Sequence, residues 1–309
     1  MKKILLIAAA AIVSFSLSAQ TTKEAGEFAT DANVALNDGD NEAAIENYKK
    51  AIEAEEAAED GDLVFVEQVK NTVCKIMLSI GKTYYNEKNF AAAIDQFNAT
   101  IDQASEYEAY GVIDEASALI PKAKQQNAQA LMKAGDFENA ITAFEEILAG
   151  NPENANVLLN LASAYEKVGK EAEMIDAYDK ALALGKTDAA KKLSNVFVKK
   201  AQASLKANKF AEAIEFAQKS NEYLENANAY KMAASAASKL GKAADAISYY
   251  EGYLNINPEA KDAGAIKYTI AVLYQTKLNN KAKAAEYYNQ IADDPQYGAE
   301  AKKQIAALK

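Results

Sequence analysis

Histidine, tryptophan and arginine do not occur in this chain, and there is a single cysteine. Each absence closes a class of chemistry. Without histidine the commonest general base is missing, and neither a histidine triad nor a histidine metal site can be assembled. Without arginine there is no planar fork for a bidentate grip on carboxylate or phosphate. Without tryptophan a sugar site loses its usual flat platform. Cys74 has no internal partner, so it reads as a small, half-buried residue at the start of a helix or as half of an intermolecular disulfide. All 34 basic residues are lysines, set against 44 carboxylates. An acidic chain with no basic cluster is a poor ligand for nucleic acid.

Proline is also scarce, at 4 residues in 309, while half the residues are apolar and helix formers dominate. That composition predicts an all-α chain with a continuous core, long for one globular domain and ordinary for one elongated repeat array.

The first residues are set apart. Lys2 and Lys3 precede an uncharged apolar run from Ile4 to Val13, followed by a small-residue stretch that ends at Ala19. This is the pattern of a secretory signal peptide over residues 1–19, and the run is short for a membrane span. The expectation is a mature protein starting at Gln20, periplasmic or secreted, with no stable membrane insertion after cleavage. It would carry 32 lysines against 44 carboxylates, a net charge of −12.

Residues 151–185 carry the plan of the rest. Leu158, Leu161, Ala162 and Tyr165 fall on one helical face, and Gly169 follows as a helix stop. A second helical face restarts with Met174, Ile175, Tyr178, Ala181 and Leu182. Pro152 is expected in the first turn of the first helix. Two helices this short leave an apolar face uncovered, so the unit needs neighbours.

The stretch resembles a tetratricopeptide repeat: small Ala162, aromatic Tyr165, then Tyr178 and Ala181, with Met174 where that family has alanine. The resemblance implies stacked helical hairpins in a right-handed superhelical solenoid, an interaction scaffold with no catalysis and no cofactor. It also implies that first helices line a concave groove that binds extended peptides or helices.

An isoleucine near the start of each second helix sets the register: Ile45, Ile94, Ile141, Ile175, Ile214 and Ile247, with Ala285 in the last unit. The intervals are 49, 47, 34, 39, 33 and 38 against a family period of about 34. About seven units therefore fill residues 20–295, the first three separated by insertions, with a capping helix over 296–309. The insertion at 106–120 reads as an extended helix or a loop, with the third unit starting near Pro121. The fifth unit has Asn208 at the turn and Ala217 in place of an aromatic, which predicts a thinner, softer layer. Asp60-Gly61-Asp62 lacks the spaced ligands and closing glutamate of a calcium loop, and no other metal site is expected.

The register turns a polar set outward on the first helices: Lys75, Lys82, Tyr85, Gln125, Gln129, Met132, Asn156, Asn160, Ser163, Lys199, Gln202 and Lys231. Amide, hydroxyl and lysine in this pattern suit an extended segment bearing carboxylates, taken from a partner protein or peptide. Any exposed helix face also carries scattered polar residues. A lysine–asparagine clamp for a C-terminal carboxylate is not predicted, because Asn156 and Asn160 lack the matching lysines. The alternative function is a solute- or glycan-binding envelope protein on the same frame. Oligomeric state is not legible.

Overall fold

The computed structural model describes residues 21–308; the predicted signal segment, residues 1–19, lies outside the described residues, as does Lys309. Among the described residues all regular structure is helical. The described residues divide into two compact units, with the boundary between Lys170 and Glu171.

The first unit contains α1 (Lys23–Asn37), α2 (Asn41–Glu56), α3 (Leu63–Asn86), α4 (Phe90–Glu106), α5 (Tyr110–Ala134), α6 (Phe137–Gly150) and α7 (Ala155–Val168). Each helix packs on the next in sequence, and α3 also touches α5. The second contains α8 (Glu171–Ala183), α9 (Asp188–Lys206), α10 (Phe210–Tyr223), α11 (Ala227–Lys239), α12 (Ala243–Ile256), α13 (Ala263–Thr276), α14 (Lys281–Gln290) and α15 (Gly298–Leu308). Here too successive helices pack together, and α9 touches α11. These are the helical hairpins of the predicted repeat.

Local chemistry sets the helix ends. Side chains of Asp40, Asp62, Asp136, Asn154 and Asn280 accept backbone N–H groups two or three residues on, satisfying donors that a helix start leaves free. Gly135 ends α5 at φ 81°, and Asn208 takes the same left-handed region at φ 58°, as its predicted place in the turn requires.

Four second helices bury an alanine, then a large residue four positions on: Ala44 and Tyr48, Ala93 and Phe97, Ala140 and Phe144, Ala284 and Tyr288; in α8 Met174 takes the alanine's place before Tyr178. A buried aromatic needs space on the facing helix, and glycine supplies it. A Cβ on Gly81 of α3 would lie 2.6 Å from the Phe97 ring. In the α11–α12 hairpin the roles are exchanged: a Cβ on Gly252 of α12 would lie 2.5 Å from Tyr230 of α11. At the C-terminal end Ile305 and Leu308 of α15 rest on the cluster around Ala271, Tyr288 and Ile291.

Three expectations are corrected. Pro121 does not open a helix but sits inside α5, with residues 110–120 forming three extra turns. Its ring is exposed, where water can take the carbonyl that a missing N–H leaves free. Pro152 lies in the α6–α7 turn, and α7 starts three residues later, capped by Asn154. Cys74 lies in the middle of α3 and is fully buried, and burial pushes its thiol up to about 11. Around Ala217 the buried cluster is all alanine, Ala201, Ala217, Ala229 and Ala233, in keeping with the small layer expected there. Phe197 stacks on Tyr223 with centroids 5.7 Å apart, and buried Ser194 and Ser220 join their hydroxyls at 2.9 Å. The aromatic volume of this hairpin comes from Phe197 of α9 and Tyr223 of α10.

Candidate partner-binding surface

Nine of the twelve outward residues belong to the first unit. On α3, Lys75 is exposed and, among the described residues, has no ion-pair partner. Lys82 is half-buried and bonds Glu115 of α5 at 2.6 Å. Tyr85 is less available than its register implies, because its ring meets Phe90 edge-on at 5.4 Å. On α5, Gln125 is exposed, while Gln129 and Met132 are half-buried. On α7, Asn156 is exposed and Asn160 half-buried; the Ser163 hydroxyl donates to the Leu159 carbonyl at 3.0 Å. The four amides Gln125, Gln129, Asn156 and Asn160 have no side-chain hydrogen bond within the described residues.

The other three residues belong to the second unit. Lys199 and Gln202 are exposed on α9. Lys231 on α11 is already occupied: its ammonium lies 2.5 Å from Asp262 Oδ2 and 5.2 Å from the Tyr253 ring centre. The Tyr253 hydroxyl donates to the other Asp262 oxygen at 2.6 Å. The Lys231 bond first, and the Tyr253 bond second, hold the Asp262 carboxyl below its ordinary value. Of the four lysines expected to meet a ligand, Lys75 and Lys199 have no ion-pair partner among the described residues, and Lys82 and Lys231 are engaged.

Sequence reasoning missed the polar bonds that tie one hairpin to the next. In the second unit the Tyr223 hydroxyl of α10 donates to Asp179 of α8 at 3.2 Å, Gln218 of α10 to the Tyr249 hydroxyl of α12 at 2.7 Å, and Tyr287 of α14 to Glu251 of α12 at 2.6 Å. These rungs link successive second helices. Burial first, then the neighbouring carboxylate, pushes the Tyr223 phenol up to about 12 and raises Tyr287 as well. Partners lie 31 to 44 residues apart, so no local pattern announces them.

Glu55 was missed too. It is 1 % exposed and accepts the Thr22 N–H at 3.0 Å, the Thr22 hydroxyl at 2.9 Å and the Asp62 N–H at 2.7 Å. Three donors offset the cost of burying a carboxylate. The same Thr22 oxygen accepts the Ala25 N–H, so one side chain caps α1 and anchors it to the loop before α3.

No helix among the described residues is long and apolar enough to cross a membrane. Family models described as "Tetratricopeptide repeat" match residues 126–189 and residues 32–57. No curated protein matches the chain. Among solved structures the chain is similar to MamA, at 22 % identity over 58 % of this chain and 96 % of that one, with a TM-score of 0.30. It is also similar to YrrB, described as "a TPR protein with an unusual peptide-binding site", at 19 % identity over 59 % and 91 %, TM-score 0.31. The Sti1 structure from yeast, titled "TPR2AB-domain:pHSP90-complex", is 18 % identical over 92 % and 98 %, TM-score 0.32.

Proposed function

The chain is a tetratricopeptide-repeat protein, and we propose that it is an exported scaffold that holds extended segments of partner proteins against its first helices. One observation carries this reading. Gln125, Gln129, Asn156 and Asn160 offer donors and acceptors that the chain does not use for itself, on successive first helices of one unit. An amide presents both a carbonyl and an N–H group, which matches the alternating groups of an extended peptide backbone. Lys75 in that unit, and separately Lys199 in the other, add positive charge that attracts carboxylates on a segment bound to that unit. Without arginine or tryptophan two usual hot-spot anchors are missing, so affinity is about micromolar, summed over many small contacts. The basic start, short apolar centre and small-residue end of residues 1–19 support export to the periplasm or the cell exterior.

Affinity capture from a cell-envelope extract tests the binding. Wild-type protein should retain partners at low salt and lose them as salt rises, because exposed lysines are screened over about 8–10 Å. The Lys75→Gln, Lys199→Gln variant should retain fewer at low salt and show a weaker salt dependence. Identical capture by the two proteins would place binding on another face. Export has its own check: the mass of the purified protein should fit a start at Gln20, and intact Met1 in the cytosol would refute it.

A further inference from the structure

The two long intervals between register isoleucines, 49 and 47 residues, have a structural consequence. They make α3 and α5 24 and 25 residues long, against 14 for α7 in the same unit. The added turns stand at the N-terminal ends of both helices, and between them lies a cleft of 660 Å³. One wall is a stripe of α3 with residues four apart, Glu67, Asn71 and Lys75, all exposed. The other is the turn into α5 and its first turns, with Glu108, Tyr110 and Glu115. Tyr110 is 68 % exposed, high for a large aromatic at the mouth of a cleft.

The charges along this cleft are sorted. Glu115 is neutralised by Lys82 at 2.6 Å. Glu67 and Glu108 have no ion-pair partner among the described residues, and neither does Lys75. Glu67 and Lys75 are eight residues apart on one helix, which is about 12 Å along its axis. One end of the wall is therefore anionic, the other cationic, and an exposed tyrosine faces them.

From this we propose that the α3–α5 cleft is a second recognition site, for an extended segment of a partner protein that carries a lysine or arginine and, four residues away, a carboxylate. An extended chain covers about 13 Å in four residues, which matches the Glu67–Lys75 separation. The basic side chain meets Glu67 and Glu108, the carboxylate meets Lys75, and an apolar or aromatic residue between them packs on Tyr110. This goes beyond the reading above. It shares only Lys75 with the lysine and amide faces, and it adds a requirement for positive charge on the ligand that those faces do not impose.

The probe is a labelled peptide, Gly-Lys-Ala-Phe-Ala-Glu-Gly, titrated with the full-length protein by fluorescence anisotropy. Controls replace the charged pair with Lys and Lys, or with Glu and Glu. The mixed peptide should bind tighter than either control. Exposed ion pairs contribute about 0.2–1 kcal/mol each. Losing two should weaken the mixed peptide about fivefold in the Glu67→Gln, Glu108→Gln variant, while binding of the Glu–Glu control, relieved of like-charge repulsion, should not weaken. Both changes are on exposed side chains, and an unchanged melt confirms the fold. Equal or tighter binding of the Glu–Glu peptide, retention of affinity by the variant, or no binding of the mixed peptide would each overturn the proposal. None of these would touch the envelope capture by Lys75 and Lys199, so the two readings fail separately.

Discussion

The second helices of the C-terminal unit and the first helices of the N-terminal unit use polar residues in opposite ways. On α8, α10, α12 and α14 they are turned on each other, with Tyr223, Gln218 and Tyr287 each closing a bond to the adjacent second helix. On α5 and α7 the amides Gln125, Gln129, Asn156 and Asn160 close none. A repeat stack must hold each hairpin to the next, and the apolar seam does most of that; polar rungs add to it where the outer faces meet. A face left without such bonds gives nothing to stability and keeps its donors and acceptors for something else. The difference separates side chains that hold the stack from side chains available to a partner.

The seam sets the scale for breaking this comparison. Phe97→Ala empties the space opposite Gly81 and should cost about 3–5 kcal/mol in a urea titration. A loss under about 1 kcal/mol would mean the glycine–aromatic pairing is not what closes the hairpin. The rungs come next. Tyr223→Phe with Tyr287→Phe should cost about 1–3 kcal/mol together, since each change leaves a partly buried carboxylate without its donor. If the double variant melts with the wild type, the rungs are decoration.

Alkali probes the same residues without mutation. The folded protein keeps the phenol protons of Tyr223, Tyr253 and Tyr288 up to about 12, against an ordinary value of 10.0. Between those two values the unfolded chain binds fewer protons than the folded one, so stability falls as pH rises. Tyrosinate absorbance should appear late, together with loss of helix. In the Tyr223→Phe, Tyr287→Phe variant the late fraction should shrink. Early, complete ionisation with helix intact would contradict the burial of these rings.

The seam was legible because its signal is local. A small residue, an aromatic four residues on and an isoleucine at a fixed place recur in most hairpins, with Met174, Ala217 and Ala285 as departures, and tertiary packing leaves that spacing alone. Asn208 could be assigned to a left-handed turn for the same reason. What was not legible depends on surroundings. Pro121 looks like a helix start, and only its position on an exposed side of α5 lets the helix run through it. Ala217 marks a small layer correctly, but the stack of Phe197 on Tyr223 in the same hairpin joins two helices and is announced by neither alone. Glu55 is one acid among many in the sequence, and it becomes a buried anchor because a loop brings Asp62 and Thr22 to it. Of the outward set, Gln125 and Asn156 are exposed and Gln129 and Asn160 half-buried, whereas Lys82 and Lys231 found carboxylates on neighbouring segments. Register identifies a face; it does not identify the ion pairs across it.

The smallest expected effect on stability decides the central claim. Changing Gln125, Gln129, Asn156 and Asn160 together to alanine should shift stability by no more than about 0.5 kcal/mol in all, because surface changes without internal bonds are small and of either sign. Melts and envelope capture should be run side by side on this variant and on the Tyr223→Phe, Tyr287→Phe variant. The amide variant should melt like the wild type and lose its partners, while the rung variant should melt earlier and keep them. An amide variant that holds every partner with wild-type salt dependence would contradict the assignment of the first-helix face to binding.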